Sequence, residues 1–180
     1  MKKILIILTT FIPLLSFSQN DNDKIIYERA KTLQFVHYET DLMQMMLSGD
    51  TIEANIANKI FDQFQKLAIN EYDKIIQEFP KSELLLDALY NKAEAQYNLG
   101  LNKEAKATFE KVILNNPQKG KSLIYLAFIA LEEKKYSDAL KYIEQRKKLT
   151  PKFFCGNEYQ TEENQMKYIE EKCKIGLSKN

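Results

Sequence analysis

The feature that most restricts this chain is an alanine placed twelve residues before a proline, three times over. Ala68 precedes Pro80, Ala105 precedes Pro117 and Ala139 precedes Pro151, each by 12 residues. Four residues after each Ala stands a large apolar side chain: Tyr72, Phe109 and Ile143. An acid follows (Asp73, Glu110, Glu144), and then Lys74, Lys111 or Gln145. The Ala-to-Ala steps are 37 and 34 residues, a period that belongs to stacked supersecondary units. Such a unit buries its apolar face only against its neighbours.

The residue types suit helix pairs. Antiparallel helices approach closely only where small side chains meet, and Ala93, Ala105, Ala127 and Ala139 are spaced to provide such crossings. A large residue four positions on shares the Ala face and fills the layer between units. Proline lacks an N–H and clashes with the turn before it, so it closes each second helix. Five Gly and four Pro in 180 residues leave few turns, which favours long helices over many short strands.

This arrangement resembles the tetratricopeptide repeat. In the first complete unit the opening helix reads Ala88-Leu89-Tyr90-Asn91-Lys92-Ala93 through Tyr97, with Gly100 at the turn, and the second carries Ala105, Phe109 and Pro117. The next unit reads Leu123, Leu126-Ala127, Tyr136, Ala139, Ile143 and Pro151. Residues 66–80 match only the second half of a unit. Two positions depart from the pattern: Lys134 replaces the turn glycine, and Arg146 stands where a small residue is usual. The resemblance implies an all-α, right-handed solenoid of helical hairpins, with about seven helices.

The resemblance also implies a concave groove lined by the first helices, taking a protein or peptide partner. By that register the groove residues are Tyr90, Glu94, Tyr97 and Asn98, flanked by Asp87, then Ile124, Phe128 and Leu131, flanked by Lys121. The alternative is that the first two helices or the last one fill the groove and bury it.

Outside the repeats, Asp23 is placed to cap a helix from about Lys24 to Leu47, with Gly49 as its stop. Asp50 with Glu53 forms a capping box. From there to Phe79 no Gly or Pro intervenes, and one long helix or a broken pair both fit. Met43, Met45, Met46 and Leu47 form a soft apolar cluster, read as core packing ahead of an adaptable binding surface. Asn157 with Gln160 forms another capping box, opening a last helix with Tyr159, Met166, Ile169 and Cys173 on one face and a stop near Gly176. That helix is placed to cover the exposed end of the stack.

Residues 1–18 read as a secretory signal peptide: Lys2 and Lys3, an apolar run from Ile4 to Phe17, and Ser16-Phe17-Ser18 as the cleavage site. The run is shorter than the roughly 20 residues a spanning helix needs. The expected organisation is therefore a signal peptide at 1–18, N-terminal helices with a partial repeat at 19–80, two repeats at 81–151 and a capping helix at 152–180. Cleavage removes two of the 26 basic residues and none of the 25 acidic ones, taking the net charge from +1 to −1. A nearly neutral chain has no general attraction for nucleic acid or an anionic membrane. The basic run Arg146-Lys147-Lys148 reads as a solvated helix C-terminus. In an oxidising compartment Cys155 and Cys173 read as a disulfide, closing a loop of about 18 residues and stabilising by about 3 kcal/mol; two buried thiols are the alternative.

Catalytic chemistry is not written in this sequence. His37 is the one histidine, lying among Phe35, Val36 and Tyr38 where it reads as packing. Cys155 and Cys173 lack metal-ligand spacing, and there is no phosphate-binding glycine loop or nucleophile elbow. Glu132-Glu133 and Glu162-Glu163 read as solvated helix faces. No cofactor, metal or enzyme activity is implied. The expectation is a periplasmic or secreted adaptor of the cell envelope that binds a protein through the groove, without stable membrane insertion after signal cleavage. The alternative is a structural subunit that self-associates through its Met-rich N-terminal helices.

Overall fold

The computed structural model describes residues 22–114, 119–149 and 156–178; residues 1–18, Pro117, Pro151 and Cys155 lie outside them. Eight α-helices and one 3-10 turn make up the described secondary structure, with no strand among these residues. The chain divides into two compact units, one ending at Gly100 and one beginning at Leu101.

The first unit opens with α1, Asp23–Phe35. Its cap is Asn22, whose Oδ1 accepts from the Ile25 N–H at 3.0 Å; Asp23 instead accepts a hydrogen bond from the Ser82 hydroxyl. The single helix expected as far as Leu47 is not formed. A 3-10 turn over Val36–Tyr38 and a short α2, Leu42–Met46, replace its second half. Thr40 explains the break. Its hydroxyl donates to the Val36 carbonyl at 3.0 Å and accepts from the Leu42 N–H at 3.3 Å, replacing the helix ladder by side-chain bonds.

Asp50 caps α3, accepting from the N–H groups of Ile52 and Glu53 at 2.8 and 3.2 Å. α3 runs unbroken from Thr51 to Glu78, 28 residues, which decides for the single helix. Its second half carries the partial repeat, and α1 supplies the missing helix. Ala30 and Ala68 are both fully buried in one cluster with Ile26, Leu33, Tyr72, Ile75 and Ala88. The last of these belongs to α4, Leu85–Asn98, which packs along α3.

The second unit contains α5 (Asn102–Val112), α6 (Lys119–Glu132), α7 (Tyr136–Lys147) and α8 (Gly156–Leu177). α6 packs against α5, α7 and α8, and Phe109 of α5 stacks on Tyr125 of α6 with ring centres 4.9 Å apart. Ala105, Ala127 and Ala139 are fully buried, as small residues at helix crossings must be. α8 lays Ile169 and Cys173 into a cluster with Ile124, Ala127, Ala130, Ala139 and Ile143. The capping box expected at Asn157 is not what starts α8. The helix already includes Gly156, and Gln160 reaches forward to Asn164 rather than back.

The two turns are built alike despite their different residues. Gly100 has φ +71°, the left-handed region where a side chain costs energy. Lys134 adopts φ +58° in the same region. Its N–H bonds the Leu131 carbonyl at 2.9 Å, and the Lys135 N–H reaches the Ala130 carbonyl at 2.8 Å. Both bonds of a Schellman turn are therefore made without the glycine that usually permits it.

Candidate partner-binding faces

The sequence left the inner face of α4 either open as a groove or covered by flanking helices. Tyr90 is buried, Asp87, Glu94 and Tyr97 are half-buried, and Asn98 is exposed. α1 reaches this face at two neighbouring positions. Gln34 donates from Nε2 to Glu94 at 3.1 Å, and the Asn91 amide donates to the Tyr27 hydroxyl at 3.0 Å. The same Gln34 accepts from the Tyr72 hydroxyl at 2.7 Å, and its backbone carbonyl accepts from the Gln65 amide at 2.8 Å. Burial, with the nearby Asp87 carboxylate, pushes the Tyr27 phenol up to about 12, so its hydroxyl stays protonated. Burial raises Tyr72 further still.

Gln34 and Gln65 were missed as functional polar residues because glutamine ordinarily reads as surface. The signal was positional: Gln34 falls four and eight residues after Ala30 and Ile26, on the stripe that proves to be core.

The corresponding face of α6 is covered too. Ile124 is buried, and Phe128 and Leu131 pack against the cluster that α8 completes. The Phe128 ring lies 6.4 Å from that of Tyr168 on α8, while Lys121 is half-buried. In each unit a flanking helix reaches the groove-register face, as the second of the two readings has it. Tyr90 and Ile124 are thereby removed as direct contacts.

Residues 87–119 match the family model described as tetratricopeptide repeat. The chain carries a tetratricopeptide repeat. Its helices are α4 and α5, its turn glycine is Gly100, and the match closes on Lys119, the first residue of α6. Comparison with curated proteins and with solved structures gave no match.

Beyond the repeat, the basic run 146–148 departs from its expected solvated role at one residue. Arg146 is buried and forms an ion pair with Glu162 of α8, which is buried as well. Gly120 on α6 makes the room, since a β-carbon there would lie 2.7 Å from the Arg146 Nε. Burying one charge requires burying its counter-charge, so Glu162 leaves the solvated face assigned to it. Lys147 joins this contact at the surface, 2.5 Å from Glu170, and Lys148 pairs with Glu144 at 2.9 Å.

Cys173 is a buried free thiol, and burial together with Glu170 raises its pKa. Cys155 and the disulfide expected of it lie outside the described residues. His37 is buried in the elbow after α1, its ring 4.0 Å from Tyr38 and 5.0 Å from Phe61. Burial lowers its pKa, opposed by a hydrogen bond to the Gln34 backbone. Met43 and Leu47 are exposed and Met45 and Met46 half-buried, against their expected core role. Once the helix breaks at Thr40, Leu42 fills the core while Met43 and Gln44 face outward. Among the described residues no cluster of three or more His, Cys, Asp or Glu is placed to hold a metal, and no helix is long and apolar enough to cross a membrane.

Proposed function

We propose that this chain is an exported adaptor of the bacterial cell envelope that binds a protein partner and performs no catalysis. The observation carrying this reading is the tetratricopeptide repeat at 87–119, since repeats of this family are characteristically protein-binding scaffolds. The leader-like segment at 1–18 supports export, and the near-neutral mature chain favours a protein over nucleic acid or anionic lipid.

With Tyr90 buried, partner contacts on the first unit fall to Glu94, Tyr97 and Asn98, which keep accessible surface; the second unit, taken by itself, keeps Phe128 and Leu131. Tyr97 is the best anchor among them, because a tyrosine offers rigid apolar area with a polar tip. Partner capture by immobilised protein, from an envelope extract, should fall at least tenfold for Tyr97→Ala/Asn98→Ala, about 1.4 kcal/mol. Undiminished capture would remove the groove from the proposal. Sequencing the protein isolated from its host should begin at Gln19 or within two residues of it, and an intact Met1 would refute export.

A further inference from the structure

We propose that the corner formed by the 3-10 turn, α2 and the first two turns of α3 docks a basic amphipathic helix. Five large apolar side chains are exposed there: Tyr38, Met43, Leu47, Ile52 and Ile56. Leu47 and Ile52 are the extreme cases at 80% and 71% exposure, and they flank the tight turn at Gly49. Scattered apolar residues are normal on a surface, but these five fall within 19 residues on elements that pack against one another. The platform beneath is firm. Leu42 is buried, His37 packs on Phe61, and Asp50 caps α3. On it the half-buried Met45 and Met46 are unbranched and adaptable, which suits a surface that must fit a partner helix.

Charge selects the occupant. Between Lys31 and Lys59 the sequence contains no Lys or Arg, whereas it contains Glu39, Asp41, Asp50 and Glu53. All four of these acids are exposed. A chain that is balanced overall therefore places four negative charges around this apolar exposed corner. A second copy of the same corner would bring four carboxylates against four, and like-charge juxtaposition is costly. An anionic membrane or a nucleic acid is repelled in the same way. A helix with an apolar stripe flanked by Lys or Arg satisfies both the exposed aliphatic groups and the surrounding acids. This surface shares no residue with Glu94, Tyr97 and Asn98 and stands whether or not those residues bind a partner.

The test uses protein purified from its host and three fluorescent model peptides of about 18 residues, or five helical turns. One places Leu and Lys to form an amphipathic helix, the second replaces Lys by Glu, and the third scrambles the first so that no apolar face forms. Fluorescence anisotropy should show the Leu/Lys helix binding, with the affinity falling as salt rises from about 50 to about 200 mM. The acidic and scrambled peptides should bind at least tenfold more weakly. Leu47→Ser/Ile52→Ser should weaken the Leu/Lys helix at least tenfold with the fold intact by circular dichroism. Glu39→Gln/Glu53→Gln should weaken it and flatten the salt dependence, and Asp50 is left in place because it caps α3. Tyr97→Ala/Asn98→Ala should leave the peptide affinity unchanged. Equal binding of the acidic or scrambled peptide would overturn the proposal. So would insensitivity to the corner variants, loss through the Tyr97/Asn98 variant, or a dimer that Leu47→Ser/Ile52→Ser converts to monomer.

Discussion

Lys134 holds a left-handed backbone conformation that glycine holds at the other turn, and its surroundings compensate for the strain. The two hydrogen bonds of the turn and the packing of the helices on either side over-determine it. The strain should be recoverable. Lys134→Gly is expected to stabilise by up to about 1 kcal/mol, raising the melting temperature by about 2–4 °C for a chain of this size. Arg146 and Glu162 pose the opposite case, a charge pair that each member needs. Arg146→Ala leaves a buried carboxylate without its cation and should cost about 3–5 kcal/mol. Arg146→Met/Glu162→Leu removes both charges and should be far milder, which a pair of thermal or urea melts would reveal. At His37 burial favours the neutral ring, so the folded state holds its proton less tightly than the unfolded chain. Stability from this group is complete above the unfolded pKa near 6.5 and declines as pH falls through it. The melting temperature should therefore drop between about pH 7.5 and pH 5, and His37→Gln should reduce that drop. Only the general packing role of His37 was legible in advance. The burial of Arg146 was not, because it depends on Gly120 and Glu162, residues 26 and 16 positions away in the sequence.

Among the helices, periodicity was informative wherever one helix met another through small residues. Ala105 and Ala139 are both fully buried at the positions the repeat assigned them. Enlarging either to Leu should cost about 1–3 kcal/mol by overpacking, and unchanged melts would contradict the crossing geometry. The long α3 was half legible: its start at Asp50 followed from capping chemistry, but its continuity did not follow from pattern alone. The break after α1 was illegible because Thr40 acts through side-chain-to-backbone bonds that hydrophobic periodicity does not register. The same limit explains the groove. Register places Tyr90 on the inner face of α4, yet it cannot say that α1 returns across that face through Tyr27 and Gln34. Tyr90→Ala should accordingly behave as a core truncation and cost about 3–5 kcal/mol, whereas Tyr97→Ala should be milder.

At the scale of the whole chain, repeat, polar composition and leader-like segment bear on one question, whether this is a protein-binding component of the envelope. Of the seven groove-register residues, two are buried, Tyr90 and Ile124. Which register positions stay exposed is decided by tertiary packing, which no single helix pattern can identify. The most direct measurement is site-specific photo-crosslinking in intact host cells, with the reactive side chain placed at Asn98 and, as a buried control, at Tyr90. Expected is a discrete heavier adduct from Asn98, recovered from the envelope fraction and containing a different protein, with none from Tyr90. No adduct from Asn98, or adducts made only of further copies of this chain, would contradict a protein-binding adaptor.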